Sequence, residues 1–256
     1  MTDDPVRIDD GAVTRVTINR PDRLNALDLP TMAAFGDALE EARRAEARVL
    51  VITGAGDRAF VAGADISYMQ GLSTPEALEY ARTGHRILRQ VEEFPAPVIA
   101  QINGYAFGGG LELALACDLR VASEQAVLGQ TEIDLGIFPG WGGSQRLPRI
   151  VGDELARRLV YFGERVDATD ALELGLVGDV VAHDELQAVV DEYAADLAAK
   201  PRHAMAAVKA AINRSRAGDL EAGLAFERRA WSGLFGTADQ REGMAAFLED
   251  REPSFE

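Results

Sequence analysis

The spacing of apolar positions changes along this chain. Val13-Thr-Arg-Val-Thr-Ile-Asn19 alternates apolar and polar residues with period two, the pattern of a strand, and Arg20-Pro21 ends it. From about Leu29 to Ala47 apolar residues recur at helical spacing with the charges outside, which predicts an amphipathic helix. Arg48–Thr53 and Pro97–Ile102 are short and mostly apolar, as buried strands are. Between them Thr74–Phe94 reads as a helix, with Ser73 or Thr74 as its cap and Pro75 in its first turn. Leu119–Ala122 and Ala126–Leu128 supply later strands, so strands alternate with helices and predict an α/β fold. From about Asp184 the strands stop. Glu185–Ala199, Arg202–Arg216, Leu220–Gly233 and Ala238–Glu249 read as successive helices punctuated by Pro201 and Gly218. Leu224, Phe226, Trp231, Leu234 and Phe235 give this tail more apolar surface than a lone hairpin can leave wet, so it is expected to pack on the core or on another subunit.

Composition narrows the class. A chain of 256 residues that is 47% apolar and 27% charged is globular, with one large domain or one domain plus a helical appendage. It has no apolar run of membrane-spanning length, and its start, Met1-Thr-Asp-Asp-Pro5, is acidic where a signal peptide would be basic, so a cytoplasmic location is expected. A single cysteine, Cys117, excludes an internal disulfide and reads as a small buried residue on a helix. The net charge is −16, and only Lys200 and Lys209 among the 26 basic residues are lysines. Two explanations fit that bias: a salt-rich cytosol, in which a self-repelling acidic surface is screened, or high-GC codon usage favouring arginine. The same charge disfavours a nucleic-acid partner, which draws on a basic footprint.

Several familiar motifs fail in context. Thr53-Gly-Ala-Gly-Asp-Arg-Ala59 follows a strand and imitates a dinucleotide-binding loop, but Val61-Ala-Gly-Ala-Asp65 follows in place of an amphipathic helix, and no second strand ends in an acidic residue. Gly142-Gly-Ser144-Gln-Arg146 lacks the last glycine of a nucleophile elbow, which leaves Ser144 as a helix-start residue. His85, His183 and His203 have no metal-ligand spacing and read as surface or half-buried helix residues. Two glutamates remain, Glu112 after the turn Asn103–Gly110 and Glu132 within Gly129–Gly140. Glu112 falls near the start of an otherwise apolar helix, Leu111–Cys117, where a carboxylate is costly without a task or a partner. Paired carboxylates in a partly dry pocket can divide acid and base work, and glycine turns free backbone N–H groups to hold a developing negative charge.

Phe60-Val-Ala-Gly-Ala-Asp65-Ile, Asn103–Glu112, Gly129–Glu132 and Pro139-Gly-Trp-Gly-Gly143, continuing through Gln145-Arg-Leu147, Ala171–Val177 and Arg241–Phe247, together resemble the enoyl-CoA hydratase (crotonase) superfamily. The resemblance covers nearly the whole chain. It implies a crotonase-like spiral of ββα units over residues 1–190 and a C-terminal helical trimerisation region over 191–256, with homotrimers or homohexamers. It implies reversible addition of water to trans-2-enoyl-CoA, giving the 3-hydroxyacyl-CoA of fatty-acid β-oxidation, without metal or cofactor beyond the coenzyme A carried by the acyl-CoA thioester substrate. Glu112 is then the base that activates water for attack at Cβ, and Glu132 the donor of a proton to Cα. The N–H groups of Ala64 and Gly109 form the oxyanion hole. Substrate contacts are implied at Arg23, Leu24, Ala26, Arg58, Ala62, Asp65, Ile66, Gly108, Gly140, Trp141 and Phe235, with Arg58 toward the phosphates, Asp65 near the pocket floor and Phe235 closing over the ligand. Trp141 is bulky where members often carry a small residue, and Ser254-Phe255-Glu256 lacks the lysine they often place near the coenzyme phosphate. An enoyl-CoA isomerase, a hydratase of branched or aromatic acid degradation, and a noncatalytic RNA-binding relative are the alternatives. Glutamate at both positions favours hydration.

Overall fold

The computed structural model describes residues 4–216 and 218–255. Its elements follow in the order β1 (Val6–Asp9), β2 (Val13–Ile18), α1 (Leu29–Arg44), β3 (Val49–Gly54), β4 (Ala59–Val61), α2 (Ile66–Met69), α3 (Thr74–Glu92), β5 (Val98–Ile102), β6 (Tyr105–Phe107), α4 (Gly109–Ala116), β7 (Leu119–Ser123) and β8 (Val127–Gly129). The second half adds α5 (Gly143–Val151), α6 (Asp153–Phe162), β9 (Arg165–Asp167), α7 (Ala168–Glu173), β10 (Asp179–Val181), α8 (Leu186–Ala198), α9 (Arg202–Ser215), α10 (Leu220–Leu234) and α11 (Ala238–Leu248). The strands form a six-stranded sheet in the order β1-β2-β3-β5-β7-β10 and a four-stranded sheet in the order β4-β6-β8-β9. Strand pairs β3/β4, β5/β6 and β7/β8 each place one strand in the large sheet and the next in the small one, and the chain advances one position in both sheets with each pair. That is the expected spiral of repeated strand–strand–helix turns. Among the described residues only the β1/β2 and β8/β9 pairs are antiparallel.

Why β3 is apolar throughout is visible in its packing. Leu50 and Ile52 face the main core with Phe35, Phe60 and Ile102, whereas Val49 and Val51 face a second cluster closed by Leu186, Val190 and Ala194 of α8. A parallel strand covered on both faces needs apolar side chains at every step. Helix ends obey local rules. Asp28 caps α1 by accepting from Thr31 N at 2.9 Å, and Ser73 with Glu76 forms a capping box on α3.

Two buried asparagines join the sheets where they approach. Asn25, in the left-handed region at φ 59°, accepts from Arg20 N at 3.0 Å and donates to the carbonyls of Ala55 and Ala59. Asn103 donates to the carbonyls of Gly54 at 2.9 Å and Gly56 at 2.7 Å, and its Oδ1 accepts from Gly54 N at 3.3 Å. A Cβ on Gly104 would lie 2.4 Å from the carbonyl oxygen of Arg58, so the residue after Asn103 has to be glycine. The Gly-x-Gly segment at 54–56 therefore feeds β4 of the small sheet and opens no helix, in keeping with the rejection of a dinucleotide loop.

The tail is helical as expected, but it is covered unevenly. α8 seals the large sheet, and α9 is tied down by Lys209, whose Nζ pairs with Asp118 at 2.7 Å and donates to Ala96 O at 3.0 Å. By contrast Leu220, Trp231, Phe247 and Leu248 are exposed on α10 and α11. One histidine departs from the sequence reading. His183 sits on a turn and not a helix, with Nδ1 2.9 Å from Ser123 Oγ. No helix among the described residues is long and apolar enough to cross a membrane.

Candidate active site

α4 begins at Gly109 with Gly108 at φ 50° before it, a conformation that favours glycine. The helix enters against the small sheet so closely that a Cβ on Gly110 would lie 1.8 Å from Val61 O. This close approach brings the helix N-terminus, with its unsatisfied N–H groups, beside the segment after β4. A Cβ on Gly63, at φ 103°, would be 3.8 Å from Gly109 N. Next to it, Ala64 bridges Leu27 in parallel: Leu27 N donates to Gly63 O and Asp65 N to Leu27 O, both at 2.9 Å. Backbone groups of an extended chain alternate in direction, so the N–H of Ala64 points away from Leu27. The 63–64 peptide and the start of α4 therefore meet at one place.

Glu112 lies in the first turn of α4 and is only 1% exposed. Its Oε1 accepts from Trp141 N at 2.8 Å and Gly143 N at 2.6 Å. Burial pushes this carboxyl above the ordinary glutamate range, and the two backbone donors and the charge of Arg146 oppose that rise. Glu132 begins a short 3-10 turn, Glu132–Leu135, directly after β8. It packs on Gly108, where a Cβ would come 3.1 Å from Glu132 Oε1, so glycine there leaves room for the carboxylate. Gln130, with its amide nitrogen turned toward Glu132, donates to both carboxylate oxygens at 3.0 and 3.1 Å. Burial and then the charge of Glu112 raise Glu132 to about 7. The carboxylates are thus neighbours with unequal support: Glu112 is held by backbone amides, and Glu132 by a neutral side-chain amide.

Trp141 packs its indole between α3 and the start of α4. Its indole lies where a Cβ on Gly109 would be 2.3 Å away and one on Gly84 of α3 2.2 Å away. It meets Tyr80 edge-on at 5.3 Å, and Tyr80 meets Tyr68 at 5.4 Å. The remaining candidates fall around this group in different ways. Leu24 O accepts from Ala62 N at 3.0 Å and Ala26 O accepts from Arg20, so both lie on the segment flanking the strand edge at Ala64. Arg23, Arg58, Ile66 and Gly140 are solvent-exposed. Asp65 caps α2, accepting from Ser67 N at 3.0 Å, and pairs with Arg20 at 3.2 Å. Its carboxylate is therefore engaged in holding the segment that carries Ala64. Phe235 ends α10 edge-on to Trp231 and is joined to the glutamate group by no hydrogen bond or ring contact among the described residues. Gln130 and Gly143 were missed as contributors. A polar side chain two residues before Glu132, and a glycine pair after Pro139, were the available signals.

The spiral of strand pairs and a buried glutamate pair beside a glycine-opened helix define a crotonase-type enzyme. The chain belongs to the enoyl-CoA hydratase/isomerase family, whose profile matches residues 9–256, and it is an enzyme of the hydratase type. It is 44% identical over 239 residues to a crotonyl-CoA hydratase of Syntrophomonas wolfei, covering 93% of this chain and 92% of that one. With a short-chain-enoyl-CoA hydratase of Clostridium acetobutylicum the identity is 42% over 243 residues, 94% and 93% of the two chains. The crystal structure of an enoyl-CoA hydratase from Bacillus anthracis superposes with a TM-score of 0.94 at 39% identity, covering 98% of both chains.

Proposed function

We propose that this enzyme adds water reversibly to a trans-2-enoyl-CoA thioester, with Glu112 and Glu132 sharing the proton work. The carrying observation is the unequal pair: burial raises both carboxyls, but Glu112 accepts two peptide N–H groups that favour its ionised form, whereas Glu132 lacks them and is raised to about 7, able to hold a proton near neutrality. In the hydration direction Glu112 takes a proton from water as its oxygen attacks Cβ, and electron density moves onto the thioester oxygen. The N–H groups of Ala64 and Gly109 receive that charge, each contributing about 3 kcal/mol to the transition state. Glu132 then gives its proton to Cα, and collapse of the enolate leaves the 3-hydroxyacyl thioester. Base and acid are neighbouring carboxyl groups, so both deliver to one face of the double bond and the addition is syn. Exchange with solvent then removes the proton from Glu112 and returns one to Glu132, so the cycle closes with acid, base and electrophilic support all supplied by the chain.

The names of the two relatives support a short acyl chain, and β-oxidation of fatty acids is the setting such a reaction suits. The exposed apolar side chains of α10 and α11 support assembly through the C-terminal helices into trimers or hexamers. We place the enzyme in the cytoplasm with neither nucleic acid nor membrane as partner, and read its acidic surface as suited to a salt-rich cell interior. Crotonyl-CoA hydration by Glu112→Gln tests the core of the reading. A loss of about a thousandfold in kcat with crotonyl-CoA binding retained is expected, and full activity refutes Glu112 as the base.

A further inference from the structure

Arg146 lies on α5, outside the glutamate pair, yet its guanidinium turns back into the loop that serves Glu112. Nη1 donates to Trp141 O at 2.8 Å, while Nε and Nη2 donate to the two carboxylate oxygens of Glu92 at 2.7 and 2.8 Å. The carbonyl it holds belongs to the 141–142 peptide, the unit between the two N–H groups, of Trp141 and Gly143, that converge on Glu112 Oε1. Fixing this peptide plane fixes the aim of the donors on either side. Gly142 makes the approach possible: it sits at φ 111°, and a Cβ there would fall 2.2 Å from Arg146 Nη1. Glu92 is itself anchored at the end of α3, where its main-chain oxygen accepts from Asn213 of α9 at 2.9 Å. Arg146 and Glu92 side chains are 14% and 29% exposed, so the two-pronged pair is partly shielded from solvent.

We infer that Arg146, anchored by Glu92, is a positioning residue for Glu112: it holds the 141–143 loop so that two amides grip the catalytic carboxylate. The inference rests on the proposed role of Glu112 as base. Two charged groups bear on Glu112, Glu132 and Arg146, and Glu92 faces Arg146 from α3. Arg146 favours the ionised base and Glu132 opposes it. Loss of Arg146 therefore acts twice, loosening the amide cradle and moving the acid limb of activity to higher pH.

The test compares Arg146→Met, Arg146→Lys and Glu92→Gln with the wild type and with Glu112→Gln, using crotonyl-CoA hydration across pH. Arg146→Met is expected to lose roughly tenfold to a hundredfold in kcat with little change in KM, as misplacement of a catalytic group does. Its acid limb in kcat/KM should rise, and guanidinium added to the buffer should restore part of the rate. Arg146→Lys keeps the charge and loses the fork, so its acid limb stays near that of the wild type while kcat falls. Glu92→Gln retains one acceptor oxygen and should lose less than Arg146→Met. Wild-type kcat and acid limb in the folded variants overturn the inference; should Arg146→Met fail to fold, the same result in Arg146→Lys and Glu92→Gln does so. An inactive Glu112→Gln beside unaffected Arg146 variants sinks only this inference, whereas an active Glu112→Gln sinks the hydratase reading beneath it.

Discussion

Replacing Glu132 by Gln should make the protein more stable at alkaline pH relative to wild type while it disables proton delivery. In the folded chain Glu132 titrates at about 7 against an ordinary 4.5, chiefly because burial and then the charge of Glu112 disfavour its ionised form. The sign follows from linkage. A raised carboxyl binds its proton more tightly folded than unfolded, so its favourable contribution is present below pH 4.5 and is lost as pH climbs through 7. The full span corresponds to about 3 kcal/mol, of which roughly 2.5 kcal/mol falls between pH 5 and pH 8.5. Gln carries no charge to bury and keeps an acceptor for Gln130. Urea unfolding of both proteins at pH 5 and pH 8.5, at one protein concentration, gives the double difference and cancels the charge effects they share. The variant should gain about 2 to 3 kcal/mol on the wild type between the two conditions. An unchanged difference would mean that Glu132 ionises as easily folded as unfolded, and the assignment of a neutral proton donor would fall.

Gly84→Ala places a methyl group against the indole of Trp141, 2.2 Å from its Cδ1, while the other edge of the ring is already packed on Gly109. Overpacking of this kind costs about 1–3 kcal/mol, read from the urea midpoint, and wild-type stability would show that the ring can move aside. Removing salt is expected to destabilise a chain of net charge −16, because its acidic side chains repel one another less when screened. Thermal unfolding in dilute buffer and in molar salt checks this, and identical midpoints would remove the salt-adapted reading.

The longest elements were legible from residue spacing alone. β2, β3 and β5 follow their runs to within a residue or two, and α1 and α3 begin where Asp28 and Ser73 can cap them. Of the small sheet only β8 was, within a residue of the Ala126–Leu128 run. β4, β6 and β9 have three residues each, too few to show a period, and only pairing with strands far along the chain makes them strands. β1 was missed for a similar reason, its four residues existing as a strand only through β2. Glu112 and Glu132 stood out because a carboxylate among apolar residues and glycines demands an explanation. Arg146 did not, since its partner Glu92 lies 54 positions away and no local pattern joins an arginine on one helix to the end of another. Asp65 enters the sequence reading only through the resemblance, near the pocket floor; that its side chain caps α2 was not legible, because a four-residue helix is too short to show a period.

The locked amide of Asn103 bears on how long the enzyme lasts. Asn103-Gly104 is the dipeptide in which a backbone nitrogen most readily attacks the preceding side chain, releasing ammonia and leaving aspartate or isoaspartate. The glycine cannot be exchanged, because any side chain there would strike Arg58 O. While the chain is folded, the carbonyls of Gly54 and Gly56 hold the amide out of reach. Each excursion to the unfolded state exposes it, and a carboxylate formed there would return to face those same carbonyl oxygens, so heat damage accumulates as chemistry that refolding cannot undo. Peptide mapping after thermal cycling should find isoaspartate at 103, and its absence would show that the damage lies elsewhere.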